Sequence, residues 1–143
     1  MITVNLKQLE LAEFYGKEDK SQHCKASFPL LGAHGSKDLA SVYFELQPGE
    51  HLGRHTDSAE ELLFIVEGDV EVEIGGEISR ASQLGMALVP VMVPHDIKNT
   101  GQTTARILGF FGGANHIVAT FEQELMPAET KVVDTTMLFS AQL

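Results

Sequence analysis

The chain has 143 residues, 43% apolar and 21% charged, which suits one globular domain with a single substantial core rather than a disordered polymer. Twenty acidic against ten basic residues give a net charge of −10, a field that repels a phosphate backbone, and no basic stripe overrides it, so no nucleic-acid partner is expected. No apolar run reaches membrane-spanning length, "MITVNLKQLE" lacks a secretory pattern, and Cys24 has no cysteine to pair with, so a cytoplasmic protein with no membrane partner is expected.

Residues 1–38 read as a mixed N-terminal arm of the same domain. Within it "LKQLELAEF" (6–14) is expected to form a short helix, and "SFPLLGAHGS" (27–36) an irregular approach to the domain. From residue 39 the pattern changes to short strand-like segments separated by turn residues. "LASVYFELQ" (39–47) ends at Pro48-Gly49, and "ELLFIVEG" (61–68) is an apolar run ending at Gly68-Asp69. "DVEVEI" (69–74) alternates strictly, with Val70, Val72 and Ile74 on one face and Asp69, Glu71 and Glu73 on the other. Gly75-Gly76 then predicts a tight hairpin into "EISRA". "MALVPVMVPH" (86–95), "TTARILGFF" (103–111) and "HIVATF" (116–121) complete the set, and 122–143 are a polar, mixed tail. Many short strands with few helical stretches predict an all-β, antiparallel sandwich or barrel over 39–121. Barrel closure would remove most exposed strand edges.

In "PGEHLGRHTDSAEELLFIVEG" (48–68) a strand carrying His55 and Asp57 places both on one face, about 7 Å apart at the backbone. Glu61 opens the next strand and faces the same point, while His95 enters its strand restrained by Pro90 and Pro94. Two imidazoles and two carboxylates around one point suit a divalent transition metal. Glu60 is expected to point away into solvent, and His51 to sit in a surface turn. His23, His34 and His116 are expected to be structural or exposed. Of Phe110 and Phe111, one should face inward and the other outward.

The stretch Gly49-x5-His55-x-Asp57-x3-Glu61-x6-Gly68 resembles the first motif of the cupin superfamily, G-x5-H-x-H-x3,4-E-x6-G. "PVMVPHDIKN" resembles the second, with Pro90, His95 and Asn99 in register. The resemblance covers roughly 39–121. It implies a small jelly-roll barrel, an antiparallel double-stranded β-helix, with a metal (Fe, Mn, Ni or Zn) held inside by His55, Asp57, Glu61 and His95. Two positions depart from the family pattern: Asp57 stands where the first motif has its second histidine, and Met92 where the second has a glycine. Asp57 can bind directly, bind through water, or orient a neighbour. Without it, His55, Glu61 and His95 still form a two-histidine, one-carboxylate set suited to ferrous iron. The function this implies is a small metalloenzyme, dioxygenase-like, that oxidises or cleaves a small organic molecule against an apolar wall of Leu63, Ile65, Val72 and Phe110. The alternative is a non-catalytic binding or sensing module. A homodimer is expected through an outward set such as Leu62, Phe64 and Val66.

Overall fold

The structure, a computed structural model, describes residues 1–140. In chain order its strands are β1 (Ala12–Gly16), β2 (His23–Ser27), β3 (Leu39–Leu46), β4 (His55–Asp57), β5 (Glu61–Glu67), β6 (Asp69–Ile74), β7 (Glu77–Ser82), β8 (Met86–Val89), β9 (His95–Asn99), β10 (Ala105–Gly112), β11 (Val118–Met126) and β12 (Thr130–Asp134). A terminal helix, α1 (Thr135–Ser140), follows. Among the described residues no helix is long and apolar enough to cross a membrane.

The strands form one antiparallel sheet in the order β7-β6-β9-β4-β11-β1-β2-β3-β10-β5-β8, with β12 on β11, rolled into a nearly closed barrel. Neighbours such as β4 and β11, or β5 and β10, are distant in sequence, which is the crossed connectivity of a jelly roll. Alternation decides which side chains enter the barrel. Along β6, Val70 and Val72 are buried and Asp69 is exposed. Gly75 and Gly76 both take positive φ (59° and 85°) and close the two-residue turn that pairs Ile74 with Glu77. Along β10, Phe111 is 2% exposed and Phe110 42%, the expected division between inside and outside.

Two apolar clusters fill the barrel. One gathers Phe44, Leu46, Leu63, Ile65, Val70, Val72, Ile97 and Ile107, the other Leu31, Ala40, Phe111, Ile117, Phe121 and Leu125. Each fully buried side chain of this kind contributes ~1.5–3 kcal/mol. Val42 and Leu52 pack against both clusters and mark the junction between them.

The arm differs from the sequence expectation. Residues 6–14 are not a helix: only Leu6–Gln8 make a single 3-10 turn, and from Ala12 the chain is strand. β1 and β2 pair with each other, β2 with β3 and β1 with β11, so packing against existing strands overrides the local helical spacing. The tail likewise supplies β12, whose Asp134 pairs with Val118. The strand expected over 86–95 stops at Val89, before Pro90, which has no N–H to donate to a ladder.

Candidate metal centre

β4 is three residues long, and its alternation buries His55 and Asp57 while leaving Thr56 half-exposed. β9 buries His95, Ile97 and Asn99 by the same rule. The strands meet with His55 directly opposite His95, bringing the two rings to 4.1 Å between centroids. Glu61 begins β5 on the face of Leu63 and Ile65, so its carboxylate is forced inward. All four residues are at most 5% exposed.

Both imidazoles are held by their Nδ1 atoms. His55 Nδ1 donates to the Gly53 carbonyl at 2.7 Å, and His95 Nδ1 to the Val93 carbonyl at 2.9 Å. A carbonyl can only accept, so Nδ1 carries the proton in each ring and Nε2 is the nitrogen left for coordination. Phe121 stacks on His55 at 4.5 Å and fixes the ring plane. His95 Nε2 lies 3.0 Å from Asp57 Oδ2 and 3.4 Å from Glu61 Oε1, and His55 Nε2 lies 3.5 Å from Asp57 Oδ2. One ligand atom each from His55, Asp57 and His95 falls within 4.8 Å of the others, with Glu61 flanking the group on the His95 side.

The fit to a cation is tested by what these atoms lack. His95 Nε2 and Asp57 Oδ2 are buried and neither makes a hydrogen bond, despite their proximity. Leaving such groups unpaired costs ~1–3 kcal/mol each, more when charged, and a shared cation removes that cost. Burial pushes the Asp57 carboxyl up, but contact with His55 and His95 outweighs it and brings the group down to about 2. Burial pushes His95 down, yet Asp57 and Glu61 lift it to about 10. Burial leads in raising Glu61, aided by the nearby Asp57 charge. The carboxylates thus hold a proton on His95, and a divalent cation would take that proton's place. Two carboxylates and two neutral imidazoles balance a divalent ion.

A cavity of about 60 Å³ adjoins the centre at the junction of the two core clusters. His55, Asp57 and Glu61 form one wall, while Phe14, Phe28, Phe44, Leu52, Phe111 and Phe121 are among the apolar residues forming the rest. The wall expected from sequence is thus corrected. Leu63, Ile65 and Val72 belong to the core but do not line this cavity, and Phe110 faces outward. Part of the wall comes from β1 and β2, through Phe14, Cys24 and Ala26, strands that lie outside the expected barrel.

The remaining candidates fall elsewhere. Glu60 is exposed, as expected. Asn99 serves a turn, donating to the Leu46 and Thr103 carbonyls at 2.8 Å and accepting from Gly101 N. His51 is not a surface turn residue. Its Nδ1 lies 2.7 Å from Asp96 and its Nε2 2.9 Å from Asp19, and hydrogen bonding to Asp96, then to Asp19, raises it to about 9 against the opposing effect of burial. Asp96 also accepts from Gly53 N, the residue whose carbonyl orients His55, so this clasp braces the centre from outside. His23 is similarly held between Glu13 (2.7 Å) and Glu50 (2.5 Å).

Residues 42–111 match the family model of the cupin domain. No curated protein matches the sequence closely enough to count as a relative. Among solved structures, the cupin domain of Schizosaccharomyces pombe Cnp3 is similar at 17% identity and a TM-score of 0.64, over 78% of this chain and 74% of that one. The polyketide cyclase RemF from Streptomyces resistomycificus is similar at 17% identity and 0.63, over 78% and 79%. Bacillus subtilis oxalate decarboxylase, which has Mn(II) centres, gives 16% and 0.60, over 76% of this chain but only 30% of its own length.

Proposed function

Because the chain is a cupin-domain protein whose barrel buries two backbone-anchored imidazoles beside two carboxylates, we propose that it is a small metalloenzyme that oxidises or cleaves a small organic molecule with dioxygen. A divalent transition ion would be held by His55, Asp57, Glu61 and His95. The observation that carries this reading is the buried, unpartnered pair of His95 Nε2 and Asp57 Oδ2. Carboxylates suit harder ions, so two of them favour manganese or ferrous iron over a structural zinc. When bound, the ion supplies a Lewis acid at the cavity wall.

The chain's own residues do the rest. Gly53 and Val93 hold the imidazoles in the tautomer that leaves Nε2 free. The phenylalanine wall excludes water and orients an apolar substrate. The fold leaves the reaction open, since similar barrels include a decarboxylase and a cyclase. A cytoplasmic site of action and a small-molecule partner belong to this proposal.

The test is dioxygen consumption and product formation by iron- or manganese-loaded protein across a panel of phenolic, diketone and amino-thiol compounds. Turnover that disappears in His95→Ala supports the enzyme. Tight ligand binding with no turnover on any compound would instead make the chain a binding module.

A further inference from the structure

The cavity beside the metal centre carries one polar group that neither fold nor metal uses. Gln22, between β1 and β2, is 2% exposed, lines the cavity, and its Nε2 has no hydrogen-bond partner. Its head is gripped rather than loose. A Cβ at Gly53 would fall 2.1 Å from Nε2, and a Cβ at Gly16 would fall 2.8 Å from Oε1, so two glycines leave the room the amide occupies. Its backbone is fixed as well: Gly16 N donates to the Gln22 carbonyl at 2.8 Å, and Gln22 bridges to His51. Leucine would fill an apolar wall without stranding a donor.

We infer that Gln22 is a ligand-recognition residue, donating from Nε2 to an oxygen acceptor on a small neutral carbonyl compound seated in the cavity beside the metal centre. This rests on the metalloenzyme reading for the other end of the ligand. The acceptor at the Gln22 end is a neutral carbonyl rather than a carboxylate, because the residues lining the cavity include no lysine or arginine to offset a negative charge buried there. Size narrows the class further. At about 60 Å³ the cavity is smaller than the roughly 150 Å³ of an engineered pocket that admits benzene, so the ligand is no larger than a compound of about six heavy atoms.

The probes are 2,3-butanedione and pyruvate, which have the same number of heavy atoms and differ in the charge at one end. Each is titrated, in borate-free buffer, into zinc-loaded wild type and Gln22→Leu, following the Gln22 side-chain amide by NMR in the wild type and ligand line-broadening in both. The inference predicts that butanedione shifts the Gln22 amide and binds wild type at least about tenfold more tightly than Gln22→Leu, with pyruvate weaker in wild type. It also predicts a higher urea midpoint for Gln22→Leu, because the stranded donor is gone. Equal butanedione affinity in the two proteins, tighter binding of pyruvate, or a lower urea midpoint for the variant would each overturn it. If neither protein retains zinc, the metal reading fails, and the same titration of the metal-free proteins still decides the role of Gln22 by the same criteria.

Discussion

Adding one methyl group at Gly109 moves Glu61 without altering it. Gly109 lies on β10, between β3 and β5, and a Cβ there would meet Glu61 Oε2 at 2.1 Å and Val42 Cγ1 at 2.8 Å. Ordinary contact begins near 3.4 Å, so the carboxylate oxygen must retreat by about 1.3 Å. Ligand positions in metal sites are held to about 0.2 Å, so this displacement takes Glu61 out of bonding range. Gly109→Ala is expected to weaken binding of manganese or ferrous iron by about 10–100-fold, the scale seen when metal-site support is disturbed. Overpacking should lower stability by about 1–3 kcal/mol, leaving the fold intact. Competition with a chromophoric chelator gives the affinity, and a urea titration followed by circular dichroism gives the stability. Glu61→Gln, which keeps the size and removes the charge, should lose affinity to a similar degree. Wild-type affinity in a folded Gly109→Ala would show that Glu61 is not a ligand.

Three more outcomes are expected. Met92 occupies the motif's glycine position with φ at 60°, a left-handed conformation that costs a side-chain-bearing residue about 1–2 kcal/mol, while its N–H bonds to the Asp57 carbonyl at 3.0 Å. Set against the entropy glycine loses on folding, Met92→Gly should raise unfolding stability by up to about 1 kcal/mol, and a clear drop in the urea midpoint would refute the strain. His51, raised from 6.5 to about 9, contributes stability that is complete below 6.5 and fades as pH climbs through 9. Discounted for its partly exposed partners, the loss between pH 6 and 9.5 should be about 1–2 kcal/mol, and urea midpoints for His51→Phe should show a visibly flatter pH dependence than wild type. Finally, β5 and β8 pair Leu62 with Leu88 and Phe64 with Met86, and Leu62 also pairs with Phe110, leaving Leu62, Met86, Leu88 and Phe110 exposed on one sheet edge. A homodimer through this face is expected, and a monomer mass by light scattering at high micromolar concentration would reject it.

What could be read from sequence was whatever local periodicity controls. Alternation placed Val70 and Val72 inside and put His55 and Asp57 on one face, because neighbouring side chains in a strand must diverge. The pairing of His55 with His95 is a matter of register between strands 40 residues apart, and only the likeness to two family motifs suggested it. The helix expected over 6–14 gave way from Ala12 onward, where β2 and β11 offered strand partners that no window of sequence reveals. His51 was read as a turn residue because its acids lie 32 and 45 positions away. Gln22 had no signal at all: a glutamine after a serine in a polar loop becomes notable only when two glycines and a phenylalanine-lined cavity enclose it.

The central claim is that His55, Asp57, Glu61 and His95 hold one ion, and metal content tests it most directly. Elemental analysis of protein purified without chelator or affinity tag should give about one divalent transition metal per chain. His55→Ala and His95→Ala should each lose it while keeping the circular dichroism of the wild-type barrel. Wild-type metal content in both folded variants would contradict the account.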